Sequence, residues 1–355
     1  MSDVIRNATS ASGIHLHIDA VTVKKLTTSL SAIEQVGNSV WLAGDESKSL
    51  ARLTLSQGVD YDKQANFPLG DFFPALQRKI NQEMDLEALS WDEVNSRLWF
   101  VGSHSLRRKD IEAENGAPVD AISRALGKTD RQENRYVLGS VQLGEGAAGP
   151  YTEPIATSAA AIPFDKDTSS LIELLRQDAA LAPFLGIPSK ENGFDIEGLA
   201  VGQGRLFLGL RGPVIRGLAS VLEFRIADGK DVVLNADDAG AAPYRHHLLD
   251  LAGLGVRDLC VQGNDLLVLA GPTMKLDGPI RVYRWADALG GEARPLTCLF
   301  GIAVGEGTDH AEGIALFRQD AQTRLIVVYD SPADVRLNGG EYYTADLFDL
   351  EAPST

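Results

Sequence analysis

The sequence predicts an all-β propeller, with five blades preferred and six as the alternative count. Three observations predict it. One hairpin design recurs along the chain, its period is about 50 residues, and long helical segments are scarce. The recurring runs are short, β-branched or aromatic, and bounded by Gly, Asp, Asn or Pro, which is the signature of strands. Repeats of this length with three or four strands each suit propeller blades.

The hairpin is plainest in DLEALSWDEVNSRLWFVGSHS (85–105), FDIEGLAVGQGRLFLGLRG (194–212) and HAEGIALFRQDAQTRLIVVYDSP (310–332). Taken in order, Glu34, Glu87, Glu197, Asp258 and Glu312 each open a first strand, at spacings of 53, 110, 61 and 54 residues. Second strands follow at 39–44, 97–102, 205–210, 265–271 and 324–330, and third strands at 49–55, 134–143, 219–226 and 279–286. The gap of 110 equals two periods. It implies either a degenerate sixth blade or long insertions. The charged, loop-like stretch 106–133 and the helical spacing of SLIELLRQDAALAPFLG (170–186) favour insertions. ALQRKINQEM (75–84) reads as another short helix, and GEGAAGP (144–150) as a linker.

Residues 1–13 are expected to be a loose segment and 14–355 a single propeller domain. The alternating run IHLHIDAVTV (14–23) is expected to supply the outer strand missing from the last blade. It would close the ring and remove two exposed sheet edges. His15 and His17 share one face of that strand, the ordinary reading being a solvent-facing surface.

In a propeller the first strand of each blade lines the central channel. Residues at its start and at the end of the second strand then meet at one rim. That rim collects Glu34, Asp85, Glu87, Asp195, Glu197, Arg257, Asp258, His310 and Glu312, with Asp45, His104, Ser105, Arg211 and Asp330. Two carboxylates 4 Å apart repel by about 4 kcal/mol at an effective dielectric of about 20. The cluster must therefore bind a cation, pair with arginine, stay wet or keep a proton. Glu34, Glu87, Glu197, Asp258 and Glu312 form the candidate metal set, suited to Ca²⁺ or Mg²⁺. Asp85, Asp195, Ser105, Arg211, Arg257 and Asp330 form the candidate ligand-binding set. His104 and His310 are the candidate proton carriers. The competing reading is structural, with each acid accepting backbone N–H bonds from the next blade.

A net charge of −16 and a pI near 4.8 argue against nucleic acid as a partner. Apolar runs stop well short of about 18 residues, so no membrane partner is expected. The N-terminus lacks a basic region followed by an apolar stretch, and the expected location is the cytoplasm. Cys260 and Cys298 read as buried free thiols. No G-x-S-x-G, Walker A, HExxH or dinucleotide fingerprint occurs.

The D-x-E-[AG]-L hairpins, GSHS (102–105), GLRGPV (209–214), AEGIAL (311–316) and YDSP (329–332) together resemble a bacterial family defined by domain of unknown function 3616. More distantly, D-x-E-G resembles esterase-like and phytase-like propellers, through Asp85, Glu87, Asp195, Glu197 and Glu312. The first resemblance implies a propeller and no activity. The second also implies a propeller; separately, two histidines, several carboxylates and an arginine at one rim would suffice for metal-assisted hydrolysis of a phosphoester, ester or lactone. Two functions are thus expected in turn: non-catalytic binding of a small molecule or protein partner on the acidic rim, or hydrolysis there with His104 or His310 moving the proton.

Overall fold

The computed structural model describes residues 5–19, 26–77, 84–108, 119–165, 167–235, 242–274, 276–290, 296–305 and 307–350. Its first strands are β1 (Ser12–Leu16), β2 (Leu30–Val36), β3 (Ser39–Gly44), β4 (Ser49–Gln57) and β5 (Asp60–Pro68). Next come β6 (Leu86–Asp92), β7 (Arg97–Gly102), β8 (Leu138–Gly146), β9 (Gly149–Pro154) and β10 (Ala160–Ala161). They are followed by β11 (Asp195–Gly202), β12 (Arg205–Gly212), β13 (Ala219–Ala227), β14 (Asp231–Val232) and β15 (Tyr244–Leu249). The chain ends with β16 (Gly255–Gln262), β17 (Asp265–Gly271), β18 (Ile280–Trp285), β19 (Leu296–Ile302), β20 (His310–Gln319), β21 (Gln322–Asp330) and β22 (Tyr343–Asp349).

Four sheets carry these strands, in the orders β2-β3-β4-β5-β1-β22-β21-β20, β10-β8-β7-β6, β11-β12-β13-β14 and β16-β17-β18-β19; β9 adds to β8, and β15 to β13. The inner strands β2, β6, β11, β16 and β20 touch in succession, and β20 returns to β2. The architecture is all-β and propeller-like. Tight turns follow from local sequence. In GQGR, Gln203 and Gly204 both take positive φ, 51° and 71°, and pair Gly202 directly with Arg205. Two left-handed residues give a turn whose twist matches that of the flanking strands.

Alternation on each strand sends apolar side chains to both neighbours, so every interface between successive units has its own core. Trp41 and Leu50 meet Leu86 and Phe100 in one. Trp99 and Val101 meet Ile196 and Leu208 in the next. Phe207 and Val221 meet Val256 and Val268, and Leu267 and Val282 meet Ile314 and Val327. Ile14 and Ile33 meet Ala315 and Ile326 where the ends of the chain come together.

The N-terminal strand joins the last unit. β1 runs antiparallel to β22 and touches β5 in parallel, which fuses two four-stranded runs into the eight-stranded sheet. Upstream, Asn7 bridges to Gly301, and the Ala8 N–H donates to the Gly301 carbonyl at 2.9 Å. His15 and His17 are not simply solvent-facing. Both bond Asp60 Oδ1, at 3.0 and 3.1 Å, and His15 stacks on Tyr342. Residues 20–23 of the expected strand lie outside the described residues.

The 110-residue gap holds insertions. Val119–Leu126 is an α-helix where a loop was expected, and residues 109–118 lie outside the described residues. The expected helix at 170–186 divides into an α-helix, Ser170–Leu175, and a 3₁₀ turn, Ala182–Phe184. Asp178 interrupts it by accepting the Ala180 and Leu181 N–H groups. Of the expected helix at 75–84, Pro74–Gln77 is helical and residues 78–83 lie outside the described residues. GEGAAGP is no linker: Gly146 pairs with Gly149 as the turn between β8 and β9. Cys260 is buried, Cys298 half-buried, and both are free thiols. No helix among the described residues is long and apolar enough to cross a membrane.

Ile14 is fully buried beneath the chain-closing sheet. Ile14→Ala should destabilise the protein by about 2–5 kcal/mol in urea unfolding. A loss below about 1 kcal/mol would show that β1 is not integral to the fold.

Candidate functional site

Every inner hairpin carries a register shift at the same place. It falls between Leu30 and Ala32, Leu86 and Ala88, Ile196 and Gly198, Val256 and Asp258, and Ala311 and Gly313. A β-bulge of this kind inserts one residue and re-aims its side chain. The inserted residues are Ser31, Glu87, Glu197, Arg257 and Glu312. The residue after the bulge is small where another backbone comes close. A Cβ on Gly313 would lie 2.6 Å from the Ser31 carbonyl oxygen.

This register sets two of the expected metal ligands apart from the other three. The repeating unit is LSAI, LEAL, IEGL, VRDL and AEGI, with the second letter in the bulge. Glu34 lies three residues beyond the bulge of its hairpin, where its Oε2 accepts the Trp91 N–H at 3.2 Å. Burial pushes its carboxyl up to about 7, against that hydrogen bond. Asp258 lies one residue beyond its bulge. It is 1 % exposed and accepts the N–H groups of Leu259 and Ile314 at 2.7 and 2.8 Å. Both acids tie neighbouring inner strands together through these hydrogen bonds.

The bulge in β16 holds Arg257 instead of an acid. Its Nε lies 3.1 Å from Glu197 Oε2, and an Nη reaches Glu312 Oε1. Arg211, from the end of β12, binds Asp195 at 2.5 Å and Glu197 at 2.6 Å. Burial alone would lower the Arg211 pKa, but Asp195 and Glu197 together raise it. Arg135 pairs with Asp85 at 2.7 Å and is held by Ser105 Oγ at 3.0 Å. The sequence reading did not include Arg135. It comes from the insertion between β7 and β8, far outside the hairpin motif, and only the fold carries it to the rim.

Glu87 is the exception. Among the described residues it has no hydrogen-bond or ion-pair partner. Burial pushes its carboxyl well above the usual range, helped by Asp85, Glu197, Asp195 and Asp45. Burial likewise pushes Asp45 up to about 7, with Asp85 and Asp330 adding to it. The Asp330 carboxylate accepts the Ser331 N–H at 2.7 Å and the Ser331 hydroxyl at 3.2 Å.

The two histidines part company. His104 is 3 % exposed, its Nδ1–H donates to the Gly102 carbonyl at 2.9 Å, and its ring meets Tyr136 edge-on. Burial pulls its pKa down to about 4, so the ring is neutral at pH 7. It is absent from the lining of both cavities described below. Ser105 is also buried behind the wall, with its hydroxyl 2.9 Å from that of Ser103. His310 does reach the rim, 3.4 Å from Asp277.

These groups enclose a cavity of about 280 Å³ lined by Asp45, Asp85, Glu87, Arg135, Asp195, Glu197, Arg211, Glu312 and Asp330, with Arg107, Arg108 and Lys190 among its outer groups. A second cavity of about 670 Å³ adjoins it and shares Lys190, Arg211, Glu312 and Asp330. Arg257 and His310 line the second. Among the described residues no three His, Cys, Asp or Glu side chains are arranged to hold a metal ion. The donors do not fit Ca²⁺ or Mg²⁺, because arginines already occupy Glu197 and Glu312. The site can instead grip a polar ligand by charge and hydrogen bonds.

Arg257 is 8 % exposed and joins two carboxylates, so Arg257→Ala should cost about 3–5 kcal/mol in urea unfolding. Glu34 tests the structural assignment through pH. An acid whose folded pKa is raised supports the fold fully below its ordinary value of 4.5, and that support is lost as pH rises to about 7. The melting temperature of Glu34→Gln should exceed that of the wild type at pH 8, with the gap closing at pH 4. Parallel curves would overturn the assignment.

No curated protein is detectably similar to the chain in sequence. Among solved structures, the glutaminyl cyclase of Myxococcus xanthus is similar over 98% of this chain and 99% of its own, at 10% identity and a TM-score of 0.40. The PQQ-bound aldose sugar dehydrogenase of Streptomyces coelicolor is similar over 97% of each chain, at 10% identity and a TM-score of 0.40. The allergen Mala s 1 of Malassezia sympodialis is similar over 92% of this chain and 79% of its own, at 9% identity and a TM-score of 0.38. Residues 29–346 match the family described as protein of unknown function DUF3616, and to that family the chain belongs.

Proposed function

We propose that the chain is a five-bladed propeller that binds a small polar ligand, without catalysis, at the mouth of its central channel. The blade count follows from dividing the eight-stranded sheet at the parallel β1–β5 contact, which leaves five units, one on each inner strand. One observation carries the binding reading. Glu87 faces a charged cavity with no partner of its own, while its counterparts Glu197 and Glu312 are held by arginine. A carboxyl left unpaired among other acids costs free energy unless a proton or a ligand compensates it. A ligand that donates hydrogen bonds or carries positive charge supplies that compensation.

The metal-dependent hydrolase is less well supported. It needs several carboxylates free for the ion, and Arg211 and Arg257 compete for them. It also loses one of its two candidate proton carriers, because His104 is buried and neutral.

Thermal shift against a panel of small amines, zwitterions, anions, Ca²⁺ and Mg²⁺ tests the proposal. A ligand at about 100 times its Kd stabilises the fold by about 2.7 kcal/mol, a shift of a few degrees. Such a shift should appear with the wild type and vanish in Glu87→Gln. Turnover of a phosphoester or lactone by the wild type, lost in Glu87→Gln, would replace the proposal with an enzyme.

A further inference from the structure

The two adjoining cavities differ in chemistry, and that difference narrows the ligand class. The smaller is walled almost wholly by charged side chains. Three arginines around the two cavities are already engaged. Arg135, Arg211 and Arg257 pair with Asp85, Asp195, Glu197 and Glu312. Asp45, Glu87 and Asp330 have no Arg or Lys partner among the described residues. These three carboxyls form an acidic pole in a mouth that Arg107, Arg108 and Lys190 also line.

The larger cavity begins at the shared residues Glu312 and Asp330 and runs outward along Pro272, Met274, Leu276, Ile280 and Val304. Met274 and Leu276 are 49% and 66% exposed, an unusual state for large apolar side chains placed together beside a charged site. Small-molecule sites commonly combine an apolar wall with a few converging polar groups, in volumes of about 300–1,000 Å³.

We infer that the two cavities form one bipartite site for an amphipathic cation: an ammonium group at the Asp45–Glu87–Asp330 pole and an apolar body along Met274 and Leu276. This rests on the binding reading above and adds the ligand's charge and shape. An ammonium is the complementary charge for the pole and donates several hydrogen bonds at once. The short loop that carries Met274 and Leu276 places the apolar wall beside the pole, so one small molecule can touch both.

Titration calorimetry with ethylammonium, hexylammonium and hexanoate tests it at pH 7. Hexylammonium should bind at least ten-fold tighter than ethylammonium, since each methylene removed from water contributes severalfold. Leu276→Asp, on an exposed side chain, should erase that difference, and Glu87→Gln should weaken both amines. Equal affinities for the two amines, unchanged by Leu276→Asp, would remove the apolar half and leave the binding reading intact. Hexanoate binding as tightly as hexylammonium would overturn the choice of charge. If neither amine binds while another ligand gives a Glu87-dependent thermal shift, the inference fails alone. If nothing gives such a shift, the parent reading fails with it.

Discussion

The guanidinium of Arg257 lies between Glu197 and Glu312, and much of the rim is arranged around that contact. Inner strands that share a channel bring their bulged residues toward one axis. If each carried a carboxylate, repulsion there would oppose ring closure. Replacing one acid with arginine changes the balance, because a planar fork can serve two carboxylates at once. Arg211 extends the network to Asp195, and Arg135 neutralises Asp85 from outside the ring. Among the described residues Glu87 is left without an arginine, and it lines the cavity.

The bulge is what turns a repeated hairpin into a site. Without it, alternation would send the second residue of each unit toward a neighbouring sheet. With it, that residue faces the axis while the strand beyond keeps its apolar faces in the interfaces. The same hairpin therefore supplies both the packed interfaces and the charged rim. Glu34 and Asp258 show the other use of an acid on an inner strand. Glu34 accepts the Trp91 N–H and Asp258 the Ile314 N–H, each on an adjoining inner strand that ends its own sheet, so donors without a ladder partner are satisfied.

The rim also separates what looks alike on paper. His104 and His310 both sit at strand ends, and Ser105 and Asp330 both follow second strands. His104 and Ser105 turn back into the wall, where they brace the loop that carries Arg135. His310 and Asp330 stay on the cavity side. A left-handed backbone at His104, φ 55°, is what turns that loop inward.

The sequence by itself determined the strands, their period, the closing role of the N-terminal run and the acidic end of the hairpins. These depend on local alternation and turn residues, which act over a few positions. It also contained the bulge register, in the unit of one apolar residue, one variable, one short and one apolar. Aligning on acids alone hid it, since Ser31 and Arg257 fill the variable place in two hairpins. Tertiary structure decided the rest: which acids meet, which arginine takes each one, and which carboxyl is left over. Pairing of charges depends on distances across the ring, and residues such as Arg135 and Asp85, fifty positions apart in sequence, come within 2.7 Å only once the ring closes.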